Sequence, residues 1–299
     1  MAKDHSKYPL RLDVSQAELK SIEQLRLNLG AVSHKLGALH SAGSPHPRSD
    51  FAADHCRSKE YHTHLTVVHQ LMAAGENLGS LADMLRADKE ADGGLRIGGR
   101  QAGPYACVRA AIECAANAYW LAAPESSDER LTRSFMWQRE DTHLRWKAIK
   151  EFRELFPEDQ GADSGDRNRS LADDNQRLDE LAKCAGLDIS STRKRESMTD
   201  ILEWIKKDNQ NLTMAKVLWM LTSGQAHGRM WSHIHIAHMT EVSRDPVNES
   251  SHFLHALDYM KLNDMAMGTL LLFDEANAMS WKRWHKPGAG ASFLPGANN

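Results

Sequence analysis

Residues 15–36 read SQAELKSIEQLRLNLGAVSHKL, and the spacing of their apolar side chains indicates the fold class. These side chains recur every three or four residues, at Leu19, Ile22, Leu25, Leu29, Val32 and Leu36. Such spacing forms one face of an α-helix, whereas a half-buried strand would alternate apolar and polar residues. Ser15 followed by Glu18 matches the capping box that starts many helices. The stretch therefore predicts an amphipathic helix.

The same periodicity extends through most of the chain. A second helix is predicted at residues 61–87, after an exposed turn around Ser44–Pro47. Pro104 suits the first turn of a third helix, and Ser126 with Glu129 suits the start of a fourth. Predicted helices occupy residues 104–122, 126–155, 178–184, 199–205, 212–226, 229–240 and 249–284. No strand or internal repeat is evident, so the predicted class is all-α, a helical bundle.

Composition shifts suggest the domain organisation. Residues 1–92 are predicted to form an N-terminal helical hairpin, and residues 104–286 a helical-bundle domain. Between them, residues 93–103 form a glycine-rich linker, and residues 287–299 form a disordered tail. The linker segment GGLRIGG lacks the Gly-Lys-Ser/Thr ending of a phosphate-binding loop, so a flexible connector is expected.

The overall charge limits the classes of partner. The chain has 299 residues, with 37 Lys and Arg against 40 Asp and Glu. This balance argues against a protein that coats nucleic acid by bulk electrostatics, although a local basic site remains open. One such patch, Arg193-Lys194-Arg195, is predicted to be a solvated loop. The 4 cysteines show no CxxC pair or disulfide framework. Without a signal-like or membrane-spanning segment, we expect a cytoplasmic location and no membrane contact.

Two polar patterns could carry chemistry. The third predicted helix carries Arg109, Glu113 and Asn117 at four-residue intervals, hence on one stripe. Such a stripe is either an ordinary ion pair facing solvent or part of a buried polar network. Later, Ser223 and His227 share a helix face in the run LWMLTSGQAHGR, residues 218–229. Its glycines cost about 1 kcal/mol each in a helix, which close helix contact or ligand access could offset.

Histidine-rich patterns raise the alternative of a metal-dependent enzyme. On an ideal helix, His227, His235 and His238 would lie within about 80° of one another, as a zinc site needs. Glu140 to His143 and residues 249–252 each match the Glu-x-x-His spacing of di-iron bundles. Two such copies are close to the number expected by chance, and no complete ligand set is evident. No metal or cofactor is therefore predicted.

A family resemblance rests on three features that occur in order. They are the helix YACVRAAIE at residues 105–113, Trp120, and the segment SGQAHG at residues 223–228. Together they resemble bacterial and phage helical proteins that pair an Arg-Ala-x-x-Glu helix with a Ser-Gly-x-x-His-Gly segment. The resemblance covers roughly residues 100–275. In outline, that group is similar to the HEPN superfamily of helical bundles found in toxins, phage-defence proteins and RNA-processing enzymes.

The resemblance implies a metal-independent endoribonuclease that forms a homodimer and takes RNA as its partner. Catalytic HEPN proteins use an Arg-x(4–6)-His motif, in which histidine transfers protons and arginine contacts the phosphate. Arg229 and His235 have that spacing, and His227 is a further candidate, although it precedes Arg229. The implied supporting residues are Arg109, Glu113, Asn117 and Ser223. The alternative is a non-catalytic binding or assembly module with a buried polar network.

Overall fold

The computed structural model describes residues 16–85, 87–89, 95–97, 102–156, 170–245 and 250–285. Helices dominate these residues, which confirms the predicted all-α class. In chain order the elements are α1 (Gln16–Ser41), α2 (Asp50–Ser58), α3 (Thr63–Met84), β1 (Ala87–Lys89), β2 (Leu95–Ile97), α4 (Ala102–Ala122), α5 (Ser127–Leu155), α6 (Leu171–Cys184), α7 (Ile189–Thr192), α8 (Met198–Asp208), a 3-10 turn (Gln210–Leu212), α9 (Ala215–Ala226), α10 (Met230–Ile236), β3 (Ala237–Asp245), β4 (Ser250–Leu257) and α11 (Tyr259–Trp284).

The first helix follows the prediction closely. It begins at Gln16, directly after Ser15, and its predicted apolar face is buried at Leu25, Leu29 and Val32. Leu36 lies so close to the α3 backbone that a Cβ atom on Gly75 would come within 2.5 Å of it. This contact between α1 and α3 fits the predicted N-terminal hairpin. The short helix α2 between them was not predicted.

Backbone contacts divide the chain into two compact units that do not follow chain order. The first unit takes the described parts of residues 1–37, 73–113 and 214–273, and the second takes those of 38–72, 114–213 and 274–299. The division therefore does not coincide with the predicted boundary between a hairpin at 1–92 and a bundle at 104–286. Each unit draws on the beginning, the middle and the end of the chain.

Two antiparallel hairpins replace segments that were predicted to be helical or linker. Strands β3 and β4 pair from Ala237 opposite Leu257 to Asp245 opposite Ser250, with a register shift near Glu241. The helix predicted to reach residue 240 therefore ends at Ile236, and the last helix begins at Tyr259 rather than residue 249. The sequence explains why a helix was wrongly predicted on both sides of Asp245. The residues before it favour a strand, and a proline such as the one at 246 is compatible in sequence with either a turn or a helix break.

The predicted linker is partly structured. Strand β2 lies inside it and pairs with β1, with Ala87 opposite Ile97. Residues 102 and 103 already belong to α4, and the rest of the predicted linker lies outside the described residues. The predicted tail at 287–299 also lies outside them.

Helix starts were missed where the cap residue was misread. Helix α6 begins seven residues before the predicted start, because Ser170 and Asp173 form a reciprocal capping box. Ser197 and Asp200 form another at the start of α8, which begins at Met198 rather than at the predicted residue 199. Both boxes are readable in the sequence as a serine followed three residues later by an aspartate.

Along the described part of the chain, we find no helix that combines the length and apolar character needed to cross a membrane.

Buried arginines hold the second unit together. The Arg130 guanidinium bonds both carboxylate oxygens of Asp54, at 2.7 and 2.9 Å, and the two side chains are 2% and 0% exposed. Its remaining nitrogen donates to the carbonyl groups of Pro124 and Glu125. Such complete pairing is what makes a buried ion pair tolerable, because each charge loses its hydration.

Two further arginines of the second unit also donate hydrogen bonds to backbone carbonyl groups. Arg283 donates to the carbonyls of Ala122 and Ala123, and Arg133 donates to that of Trp120. The last carbonyls of a helix have no partner within the helix. Arginines from α5 and α11 therefore satisfy the carbonyl groups at the end of α4 and in the connection that follows it.

The Arg130–Asp54 pair is directly testable. We expect Asp54→Ala to lower the free energy of unfolding by about 3–5 kcal/mol, because it leaves a buried guanidinium without its counter-charge. The matched control is Asp128→Ala, which removes a 70% exposed carboxylate from an ion pair with Arg57. That change is expected to cost no more than about 1 kcal/mol. Equal effects of the two substitutions in urea titrations would contradict this account.

A histidine cluster lies elsewhere in the second unit. The rings of His55 and His62 stack at 4.1 Å, and His62 meets His64 edge-on at 5.5 Å. His64 also contacts the rings of Phe51 and Trp284. Burial, with smaller contributions from the neighbouring imidazoles of His62 and His55, lowers the pKa of His64 to about 4. Burial and His55 also lower the pKa of His62.

This cluster predicts acid-sensitive stability. Because the folded pKa of His64 lies below the unfolded value of about 6.5, the unfolded chain binds more protons between these values. The stability that His64 contributes to the folded protein is present above pH 6.5 and is lost as the pH falls towards 4. We expect a loss of about 1–3 kcal/mol over that range, measured by urea unfolding. His64→Phe should flatten the pH dependence, whereas exposed His34→Asn should leave it unchanged. Identical slopes for all three proteins would refute the assignment.

Candidate functional site

The segment Ser223–Gly228 ends helix α9 with a Schellman motif. His227 is the C-cap, and Gly228 follows with a φ of 64°, a left-handed conformation that favours glycine. The Gly228 N–H donates to the Gln225 carbonyl at 3.1 Å, and the Arg229 N–H donates to the Gly224 carbonyl at 2.8 Å. These are the two hydrogen bonds that define the motif. The sequence pattern thus has a backbone explanation, which is a sharp turn from α9 into α10.

Gly224 allows α9 and α10 to pack closely. A Cβ atom at this position would lie 2.6 Å from the Ser232 Cβ and 2.9 Å from the Trp231 ring. Ser232 is fully buried, and its hydroxyl donates to the Arg229 carbonyl at 2.7 Å. Close helix contact, one of the two explanations offered from the sequence, therefore accounts for this glycine.

The turn presents His227 to Arg109 of α4. The imidazole Nε2 lies 2.9 Å from the Arg109 Nη1, although 118 residues separate the two in sequence. Arg109 Nε donates to Glu113 Oε1 at 3.0 Å, and the Trp219 indole N–H donates to the same oxygen at 2.8 Å. We call these four residues the Arg109–His227 cluster. All of them belong to the first unit.

The contact with Arg109 assigns a role to one ring nitrogen of His227. A guanidinium can only donate, so the Nε2 of His227 is the acceptor in this hydrogen bond. His227 is exposed, while the Arg109 and Glu113 side chains are 26% and 31% exposed. Within the described ranges, the Arg109 Nη2 has no hydrogen-bond partner. The cluster thus presents an imidazole acceptor beside a guanidinium with a spare donor group.

Arg229 and His235 are exposed but lie apart from this network. Arg229 is the N-cap of α10, and His235 lies six residues further along the chain, with its ring 6.5 Å from that of Trp231. No hydrogen bond links either side chain to the cluster in the part of the chain that the structure describes. The backbone carbonyl of Ser223 accepts the His227 N–H at 3.1 Å.

Asn117 falls in the second unit, unlike Arg109 and Glu113. It is 5% exposed, and its side-chain amide lies 3.5 Å from the Gln70 Oε1. The predicted stripe is therefore divided between the two units. Arg109 and Glu113 lie in the first unit with His227, and Asn117 lies in the second. Across the described ranges, no group of three or more His, Cys, Asp or Glu side chains is placed to hold a metal ion. The pair at residues 249–252 fails as a helical motif, because His252 lies in β4.

Trp219 is the member of the cluster that sequence reasoning missed. It lies four residues before Ser223 and eight before His227, so all three project from one side of α9. That spacing mirrors the one between Arg109 and Glu113 on α4. A tryptophan on a polar stripe was a readable signal, because its N–H usually finds a partner when the ring is partly buried.

No protein-family model, curated protein or solved structure matches this chain.

The packing role of Gly224 can be tested by adding one methyl group. We expect Gly224→Ala to destabilise the protein by about 1–3 kcal/mol, because the new Cβ would collide with Ser232 and Trp231. The matched control is Gly79→Ala in α3, where a Cβ would meet no atom within 4 Å. That change should be neutral or stabilise the protein by up to about 1 kcal/mol. Thermal and urea unfolding measure both, and a neutral Gly224→Ala variant would overturn the packing argument.

Proposed function

We propose that this chain is a HEPN-like, metal-independent endoribonuclease of the phage-defence or toxin type. The observation that carries the proposal is the 2.9 Å contact between His227 and Arg109, backed by Glu113 and Trp219. A base and a phosphate-binding cation held side by side are the two groups that RNA cleavage without metal requires. As in the proteins that the sequence resembles, the proposed assembly is a cytoplasmic homodimer.

The proposed reaction is transesterification within the RNA strand. As a phosphate approaches, Arg109 turns from His227 towards its oxygens, and the imidazole Nε2 is freed to accept the proton of the ribose 2′-hydroxyl. The 2′-oxygen then bonds to phosphorus while the bond from phosphorus to the 5′-oxygen breaks. The leaving oxygen takes up a proton, for which His235 is the candidate donor. The products are a 2′,3′-cyclic phosphate and a 5′-hydroxyl end.

The roles of the arginines differ in this scheme. The Nε of Arg109 is tied to Glu113, while its terminal nitrogens can turn to the phosphate, so Arg109 would stabilise the charge that develops in the transition state. Arg229 lies two residues after His227 and is exposed, which suits an additional phosphate contact. Glu113 would act as a positioning residue because it accepts a hydrogen bond from Arg109, and Trp219 would in turn position Glu113.

The test is incubation of purified protein with mixed cellular RNA in excess EDTA. We expect the wild type to cleave, and His227→Ala and Arg109→Ala to lower the rate about 100-fold or more, as losses of a proton-transfer group or charge stabiliser do. Arg229→Ala and His235→Ala should lower it as well, and exposed His34→Ala is the matched control that should not. Cleavage products should carry cyclic phosphate ends.

Each contrary outcome has a defined meaning. Intact RNA in EDTA that is cleaved after Mg²⁺ or Zn²⁺ is added would favour a metal-dependent enzyme. If cleavage survives His227→Ala but not His235→Ala, the general base would be His235 of α10 rather than His227. RNA that is bound but never cleaved would favour the non-catalytic alternative.

That alternative is a binding or assembly module with a buried polar network. The observation in its favour is the set of buried arginines in the second unit, where Arg130, Arg133 and Arg283 are at most 5% exposed and fully engaged in structure. A network of this kind needs no catalytic role to account for it.

A further inference from the structure

A basic cleft in the second unit is separate from the Arg109–His227 cluster. It is formed where the turn after α7 faces α5 and α6, and it has a volume of about 440 Å³. The turn contributes the patch Arg193-Lys194-Arg195, which the sequence predicted to be a solvated loop. The helices contribute Arg139, Glu140 and Asn175. Arg139 of α5 and the three residues of the turn thus bring four cationic side chains around one cavity.

The cleft has more positive than negative charge. Arg139 and Arg193 share the carboxylate of Asp179, and Arg195 pairs with Glu140 at 2.5 Å. Four cations therefore meet two carboxylates. Among the described residues the exposed Lys194 ammonium has no ion-pair partner, so its charge is available to a ligand.

Arg139 has incomplete hydrogen bonding. Its side chain is only 10% exposed, and its buried Nε–H has no hydrogen-bond partner among the described residues. Both contacts of its Nη1, to Asn175, are 3.5 Å long and therefore weak. Only Nη2 is well bonded, to Asp179 at 2.6 Å and to Thr192 at 3.3 Å. Leaving a buried charged donor unsatisfied is costly, so an anion that draws this guanidinium towards the cleft would relieve the cost.

We propose that this cleft binds a phosphate monoester carried on a nucleoside. A monoester carries up to two negative charges, which equals the excess of positive charge, and its oxygens can accept from arginine and lysine at several angles. The volume falls within the range of small-molecule sites, about 300–1,000 Å³, and exceeds what a lone phosphate would need. The same group occurs on free mononucleotides and on the 5′ end of RNA. The inference does not depend on the ribonuclease proposal.

Calorimetric titration of the full-length protein at low salt tests the proposal with AMP, adenosine and inorganic phosphate. We expect AMP to bind and adenosine not to bind. Lys194→Ala and Arg195→Ala should each weaken AMP binding about tenfold, the effect of losing one charge-assisted hydrogen bond. The control is Lys207→Ala, which removes an exposed positive charge on α8 and should change affinity less than about twofold. Thermal unfolding verifies that each variant is folded.

A second titration distinguishes the two sources of the phosphate. A short RNA with a 5′-phosphate is compared with the same RNA bearing a 5′-hydroxyl. Tighter binding of the phosphorylated strand than of AMP assigns the cleft to an RNA end, and equal binding assigns it to a free nucleotide. The proposal is overturned if AMP fails to bind at millimolar concentration, if adenosine binds as well as AMP, or if the Lys194 and Arg195 variants behave like Lys207→Ala. Cleavage of RNA by the variants is a separate readout that bears on the ribonuclease proposal alone.

Discussion

The ion pair between Arg130 and Asp54 is the constraint on which the second unit depends. Two charges are removed from water almost entirely, and the cost of their desolvation is offset only because every polar atom of the guanidinium is bonded. The same guanidinium joins α2 to α5 and to the connection after α4. Arg283 does the same from α11, so the end of α4 is held by side chains rather than by a conventional cap. Helix α4 thus ends among buried arginines, and its first half carries Arg109 and Glu113.

Arginine has the opposite role in the first unit. Arg109 is partly exposed, its partner His227 faces solvent, and one of its terminal nitrogens remains without a partner among the described residues. The difference between the two environments lies in how completely the guanidinium is satisfied. Because every nitrogen of its guanidinium is hydrogen-bonded, Arg130 is a structural group. A guanidinium with a spare donor can still donate a hydrogen bond to an anion. This contrast is why the site is assigned to Arg109 and not to the better-bonded arginines.

The sequence predicted most of the helices but not the contacts between them. Apolar spacing identified α1 and α3, because a buried helix face leaves a regular trace in the sequence. It failed at β3 and β4, because two short strands next to a proline in the sequence resemble an interrupted helix. Spacing also placed Arg109 beside Glu113, but the approach of His227 is set by the turn after α9, which no local pattern on α4 encodes. The burial of Arg130 was equally hidden, since a single arginine in a sequence is normally a surface residue.

Net charge also says little about local anion sites, for a related reason. The near balance of 37 basic and 40 acidic residues argues only against a field spread over the whole surface. Among the described side chains, ion pairing neutralises most arginines locally, so the groups that matter are the few donors left over. Lys194 and the Nε of Arg139 in one unit, and the Nη2 of Arg109 in the other, are such donors. An acidic protein can therefore hold phosphate at particular points, provided that its own carboxylates are already engaged with other cations and the remaining donors lie together in one cleft.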